Sequence, residues 1–131
     1  MALVVFNGTV MRGQPAHANL AGATFLEDVR TAPVYRLWSI GDRHPAMARA
    51  DEGGTSIEAE LYEVPDDVWP RIRDTEPPGL YRGPVELSDG RRVEGMLGER
   101  SLVEAPEAVE ITQFGGWRAY LEDRGHEVDD I

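Results

Sequence analysis

The sequence predicts a mixed α+β domain, a small curled sheet or barrel with short helices. Three observations predict it. Short extended segments follow one another along the 131 residues, separated by Gly, Pro, Asn and Asp. Two of these segments flank Ser88-Asp89-Gly90, a hairpin signal. Helical spacing is confined to two brief stretches, and a succession of short strands protects its edges by closing on itself.

Residues 3–6, "LVVF", form an uninterrupted apolar run and read as a buried strand that stops at Asn7-Gly8-Thr9. Residues 34–40, "VYRLWSI", alternate apolar and polar after Pro33 and end at Gly41-Asp42. Residues 56–64, "SIEAELYEV", alternate again, with Ile57, Ala59, Leu61 and Val64 assigned to one face. Pro65-Asp66-Asp67 precedes "VWPRIRDTE" as a helix start. Residues 85–87 and 93–97 pair across Asp89-Gly90, which supplies the positive φ angles of a tight turn. Gly115-Gly116 permits a bend, after which Trp117, Tyr120 and Leu121 recur at helical spacing as a packing and docking segment, with Phe114 near a pocket rim or a subunit contact. No repeat or Ser/Gly linker divides the chain, so residues 1–131 read as one domain, with 125–131 as a frayed tail.

Composition works mainly by exclusion. With 41% hydrophobic and 28% charged residues the chain is that of an ordinary globular protein. Net charge is −11, an acidic balance that repels phosphate backbones and disfavours nucleic acid or an anionic membrane as partner. All 13 basic residues are arginine, which removes lysine Schiff-base chemistry. The absence of cysteine removes disulfides and thiolate sites, and suits a cytoplasmic setting. No apolar run approaches the length of a membrane span, and no secretory leader is visible. His17, His44 and His126 stand in no ligand spacing, so neither a metal nor another cofactor is expected. His17, in "GQPAHANL", lies nearest the N-terminal turn, and its role is left open.

Two places remain for chemistry. Gly8 would let a ligand approach the main chain, and successive free N–H groups in such a turn form a nest for a carboxylate or oxyanion. Taken alone, the residues fit an ordinary turn at least as well. Glu76 stands between a short helix and Pro77-Pro78-Gly79, where Pro77 turns its backbone away from helical geometry. Buried, it is a general acid/base; solvated, it is one of 24 acidic residues.

The order of the pieces resembles the gamma-glutamylcyclotransferase-like superfamily: "FNGTVMRG", "YRLWSIGDRHPAM", "GGTSIEAELYEV" and "VWPRIRDTEPPGLYRGPVELSDGRRVEGML" fall in the family's sequence. "MRGQPAHANLAGATF" and "ITQFGGWRAYL" bring it closest to the C-terminal domain of allophanate hydrolases, and the expectation is of such a domain standing alone, without the amidase domain. The resemblance implies that Asn7, Gly8, Thr9 and Val10 cradle a substrate carboxylate or amide. It implies further that Glu76 is the catalytic acid/base and that Tyr81 contacts substrate; Arg12 or Arg36 is a candidate carboxylate clamp. Phe6 stands where the motif has tyrosine, Thr9 where the allophanate hydrolase domain carries a histidine, and Arg73 where an acid often stands. The expected function is cyclotransferase-like action on a small amide or carboxylate metabolite. The alternatives are an allophanate hydrolase-related role with urea derivatives, and a non-catalytic module for a separate amidase. A homodimer or an amidase is the expected protein partner. The decisive geometric expectation is that residues 7–12 and Glu76 line one cavity.

Overall fold

The computed structural model describes residues 1–129, with side chains as far as residue 125. Among them are eight strands: β1 Ala2–Phe6, β2 Thr24–Arg30, β3 Tyr35–Ile40, β4 His44–Arg49, β5 Glu58–Val64, β6 Leu80–Glu86, β7 Arg92–Gly98 and β8 Ala108–Glu110. The helices are α1 Trp69–Thr75, α2 Arg100–Val103 and α3 Trp117–Asp129. The end of the tail expected over residues 125–131, and the side chain of His126, lie outside the described residues.

The larger sheet runs β2-β5-β1-β7-β6 and the smaller β4-β3-β8. At one end the edge strands of the larger sheet meet. Ser88 N–H donates to the Arg30 carbonyl and Ala32 N–H to the Glu86 carbonyl, both at 2.9 Å, with Thr31 opposite Leu87. The larger sheet is therefore curled until its edges touch, and unclosed along the rest of its length. Of the two forms expected, curled sheet and barrel, the curled sheet is the one observed.

The apolar run of β1 places it centrally, antiparallel to β5 and parallel to β7. Val4, Val5 and Phe6 are buried as expected, whereas Leu3, opposite Glu63, is 44% exposed. β5 departs from simple alternation: Ala59, Glu60, Leu61 and Tyr62 are all buried, because the strand lies between β2 and β1 with side chains packed over both faces. The β6–β7 hairpin forms, but only Gly90 (φ 91°) takes a positive φ in its turn. Residues 65–67 are not yet helical; α1 begins at Trp69, with Pro70 in its first turn, where a missing N–H is no loss. Trp117 and Tyr120, the apolar side of α3, close the core at 2% and 7% exposure.

Candidate functional site

β1 delivers the chain into a turn in which Met11 N–H bonds the Gly8 carbonyl at 3.1 Å and Ala16 N–H bonds that of Thr9 at 2.9 Å. Among the described residues the N–H groups of Gly8, Thr9 and Val10 have no protein acceptor. Asn7, Gly8, Thr9, Val10 and Glu76 line one cavity, together with His44, Leu80 and Met96. Its volume is about 20 Å³, room for a water-sized group.

Glu76 reaches this cavity because α1 ends on it. Its φ of −68° and ψ of 138° are extended, the geometry Pro77 imposes on the residue before it. Among the described residues none donates a hydrogen bond to the half-buried carboxylate, and burial pushes its pKa up to about 7. A carboxyl group in that range exchanges protons at neutral pH.

His44 is the wall residue that sequence reasoning passed over. It is 7% exposed, and its Nδ1 donates to the Pro45 carbonyl at 3.1 Å, leaving Nε2 without a proton in the neutral ring. The available signal was its place in "DRHPAM", just after the Gly41-Asp42 turn, at the first residue of β4 rather than in a ligand spacing. Gly8, which lines the cavity, also has a packing reason to be glycine. A Cβ there would lie 2.7 Å from the Pro45 ring, so the glycine is demanded by packing of the turn on β4. Asn7 is spanned by weak contacts, its Nδ2 lying 3.4 Å from Met47 Sδ and 3.5 Å from the Met96 carbonyl.

Three other candidates lie elsewhere. Arg12 N–H and Nε each donate to Glu60 at 2.9 Å, its guanidinium meets Asp28, and it stacks 3.9 Å over the Phe25 ring. Arg36 pairs with Glu110 of β8. Tyr81 follows the cavity-lining Leu80 in β6; alternation turns it to the opposite face, where it is 45% exposed. The structure thus does not bring Arg12 or Tyr81 to the Glu76 cavity. His17 supports the turn from behind, with Nδ1 2.9 Å from the Val10 carbonyl.

Glu60, fully buried, was invisible to the alternation argument. It accepts Arg12 N–H and Nε, Tyr62 Oη–H and Arg118 NH1, each at 2.9 Å. The start of α3 completes this anchor: Arg118 also donates to the Arg12 carbonyl at 3.1 Å, and Trp117 Nε1 to Gln14 Oε1 at 3.2 Å. The segment "FGGWRAYL" therefore clamps the loop that leaves the turn. Gly116 allows this approach, since a Cβ there would sit 2.9 Å from Glu58 Cβ. Among the described residues no group of three or more His, Cys, Asp or Glu is placed to hold a metal ion.

This fold, a curled sheet with the strand–turn and the helix-end glutamate at one cavity, is of the gamma-glutamylcyclotransferase-like class. It superposes on an AIG2-like protein from Mus musculus with a TM-score of 0.64 and 25% identity, over 82% of this chain and 81% of that one. Residues 1–122 match the allophanate hydrolase C-terminal domain, and the chain belongs to that family. It is 32% identical to the urea amidolyase of Saccharomyces cerevisiae over 122 residues, 88% of this chain and 7% of the yeast protein. It thus spans a small fraction of the curated relatives it matches. A uropathogenic E. coli-specific protein of known structure shares 42% identity and a TM-score of 0.87, over 92% of this chain and 95% of that one. No helix among the described residues is long and apolar enough to cross a membrane.

Proposed function

We propose that the protein is a cyclotransferase-like acid/base enzyme acting on a small amide that carries a carboxylate, in the cytoplasm. The observation that carries the reading is the cavity shared by Glu76 and the turn of Asn7, Gly8, Thr9 and Val10. The unpartnered turn amides receive the substrate's carboxylate or amide oxygen, and Glu76 handles the proton. The substrate's own amine attacks its γ-amide carbon, forming a C–N bond and closing a five-membered lactam. Glu76 takes the proton from that amine and returns it to the nitrogen of the breaking amide bond, so the leaving amine departs neutral. Because nucleophile and carbonyl belong to one molecule, positioning supplies much of the acceleration. Entry of the reacting end requires Leu80 and Met96, the flexible part of the wall, to move aside.

Release of 5-oxoproline from γ-glutamyl amides tests this. The wild-type protein should release it, and Glu76→Gln should lower kcat by roughly 10²–10⁴-fold. Normal turnover by Glu76→Gln would end the acid/base assignment.

The family membership favours a second reading, a domain serving an amidase that acts on urea derivatives. Under it, the protein yields no 5-oxoproline and instead accelerates breakdown of a urea-derived carboxylate when a separate amidase is supplied.

A further inference from the structure

Lactam closure at the Glu76 cavity moves more protons than one carboxylate can hold. A free α-amine has a pKa of about 8 or above, so at neutral pH the substrate arrives as an ammonium. Its nitrogen sheds one proton before it has a lone pair to attack with, and a second as the C–N bond forms. Glu76 accounts for the second, which it passes to the nitrogen of the breaking amide bond. The first needs another base within reach of the same atom.

His44 is placed to be that base. β4 begins on it, paired with Ile40 across the hairpin, and it is 7% exposed. Its Nδ1–H is committed to the Pro45 carbonyl at 3.1 Å, which orients the ring and leaves the lone pair on Nε2. Among the described residues neither Nε2 nor the Glu76 carboxylate has a hydrogen-bond partner, and neither is sealed from solvent. Both residues line one cavity of about 20 Å³, so an amine nitrogen held there lies within reach of each. His44 alone of the two also lines a larger open recess beside the cavity. The charged groups of that recess, Arg43 and Glu107, pair with each other at 3.0 Å.

We infer that His44 is a second catalytic base, whose Nε2 takes the first proton from the substrate ammonium and hands it out through the recess. The inference rests on the acid/base reading of Glu76 and completes its proton balance. The ammonium loses two protons. One stays on Glu76 until the amide C–N bond breaks; the other stays on His44 until the departing amine or solvent in the recess collects it. The products are the lactam and an ammonium, and both side chains return to their starting states.

The test is 5-oxoproline release from γ-glutamyl-ethylamine by the wild type, His44→Asn and Glu76→Gln at pH 7 and pH 9. Asparagine keeps a donor for the Pro45 carbonyl but is no base. At pH 7 His44→Asn should lower kcat/KM about 10-fold, because only the neutral fraction of the amine then reacts. By pH 9 the substrate arrives neutral and this deficit should close, whereas that of Glu76→Gln persists at both pH values. A His44→Asn deficit equal at the two pH values is a structural effect and, like no deficit at all, would overturn the inference. Should the variant fail to fold, nitrogen-15 NMR of the wild-type imidazoles decides. His44 is expected with Nδ1 protonated and Nε2 bare; the opposite tautomer removes the acceptor from the cavity and overturns the inference. Failure of the acid/base reading looks different: Glu76→Gln turns over normally, while His44→Asn keeps its pH-dependent deficit. That outcome upholds His44 as a base and removes Glu76. A wild-type protein that releases no 5-oxoproline overturns both.

Discussion

Glu60 and Glu76 stand at the two ends of one loop, and the protein treats them oppositely. Glu60 is the more deeply buried, at 0% exposure, yet it is the more acidic. Burial alone would raise its pKa. The Arg12 N–H and guanidinium, the Tyr62 hydroxyl and Arg118 outweigh burial and hold it below the usual carboxylate range. Glu76 has burial without donors, and its pKa rises to about 7. Partners, rather than depth, separate the two roles. A buried carboxylate with its full set of donors ties three segments together, whereas one without them is left to exchange protons.

The anchored end should break first. Trp117, 2% exposed and bonded to Gln14, holds α3 against the loop, so Trp117→Ala should cost roughly 3–5 kcal/mol in chemical denaturation. A loss well below that range would mean the helix is not what fixes the Arg12 end.

Glu60→Gln should cost about 3 kcal/mol, since it keeps the volume but removes the charge to which Arg12 and Arg118 donate. Thermal melts of this variant and of Glu76→Gln, made side by side at pH 8, should separate widely. If both variants melt like the wild type, Glu60 is no anchor and the comparison collapses.

How far this contrast could be read from the sequence differs between the two glutamates. Pro77 after Glu76 and the apolar run before Asn7 are local signals, and the structure places both residues at one cavity. The strands of the hairpin and of residues 34–40 were legible for the same local reason. Glu60 was not, because its burial depends on β2 covering β5 from the side. β2 itself hid from pattern reading: its "TFLEDVR" is mostly exposed, and the pairing slips between Phe25 and Glu27. β4 contains Pro45, which reads as a breaker; as the edge strand of its sheet it needs no ladder N–H there. With β4 unseen, His44 and the packing duty of Gly8 were unseen too.

Gly8 sharpens the comparison from the cavity side. A Cβ would strike Pro45 at 2.7 Å, so Gly8→Ala should cost about 1–3 kcal/mol by overpacking, whether or not a ligand is present. Thermal shift with and without a γ-glutamyl amide checks this. A variant of unchanged stability that has lost only ligand binding would return Gly8 to the role of a ligand approach.

The smallest effect is a change of sign with pH. The pKa of Glu76 is raised from 4.5 to about 7, so between those values the folded protein binds more protons than the unfolded chain. Its stability therefore falls as pH rises through that window. Below 4.5 the carboxyl is protonated in both states; above 7 the folded protein holds a half-buried charge that the unfolded chain would solvate. Glu76→Gln stays neutral throughout, and should melt slightly above the wild type at pH 8 and with it at pH 4. Glu60 behaves the other way. Its folded pKa is lowered, so its contribution is present above the ordinary value of 4.5 and is lost as pH falls through the folded one. Glu60→Gln should therefore be most destabilising at pH 8 and progressively less so in acid. Two glutamine substitutions on one chain, with opposite signs at pH 8, are what donors at one carboxylate and none at the other require; the same sign for both would refute that assignment.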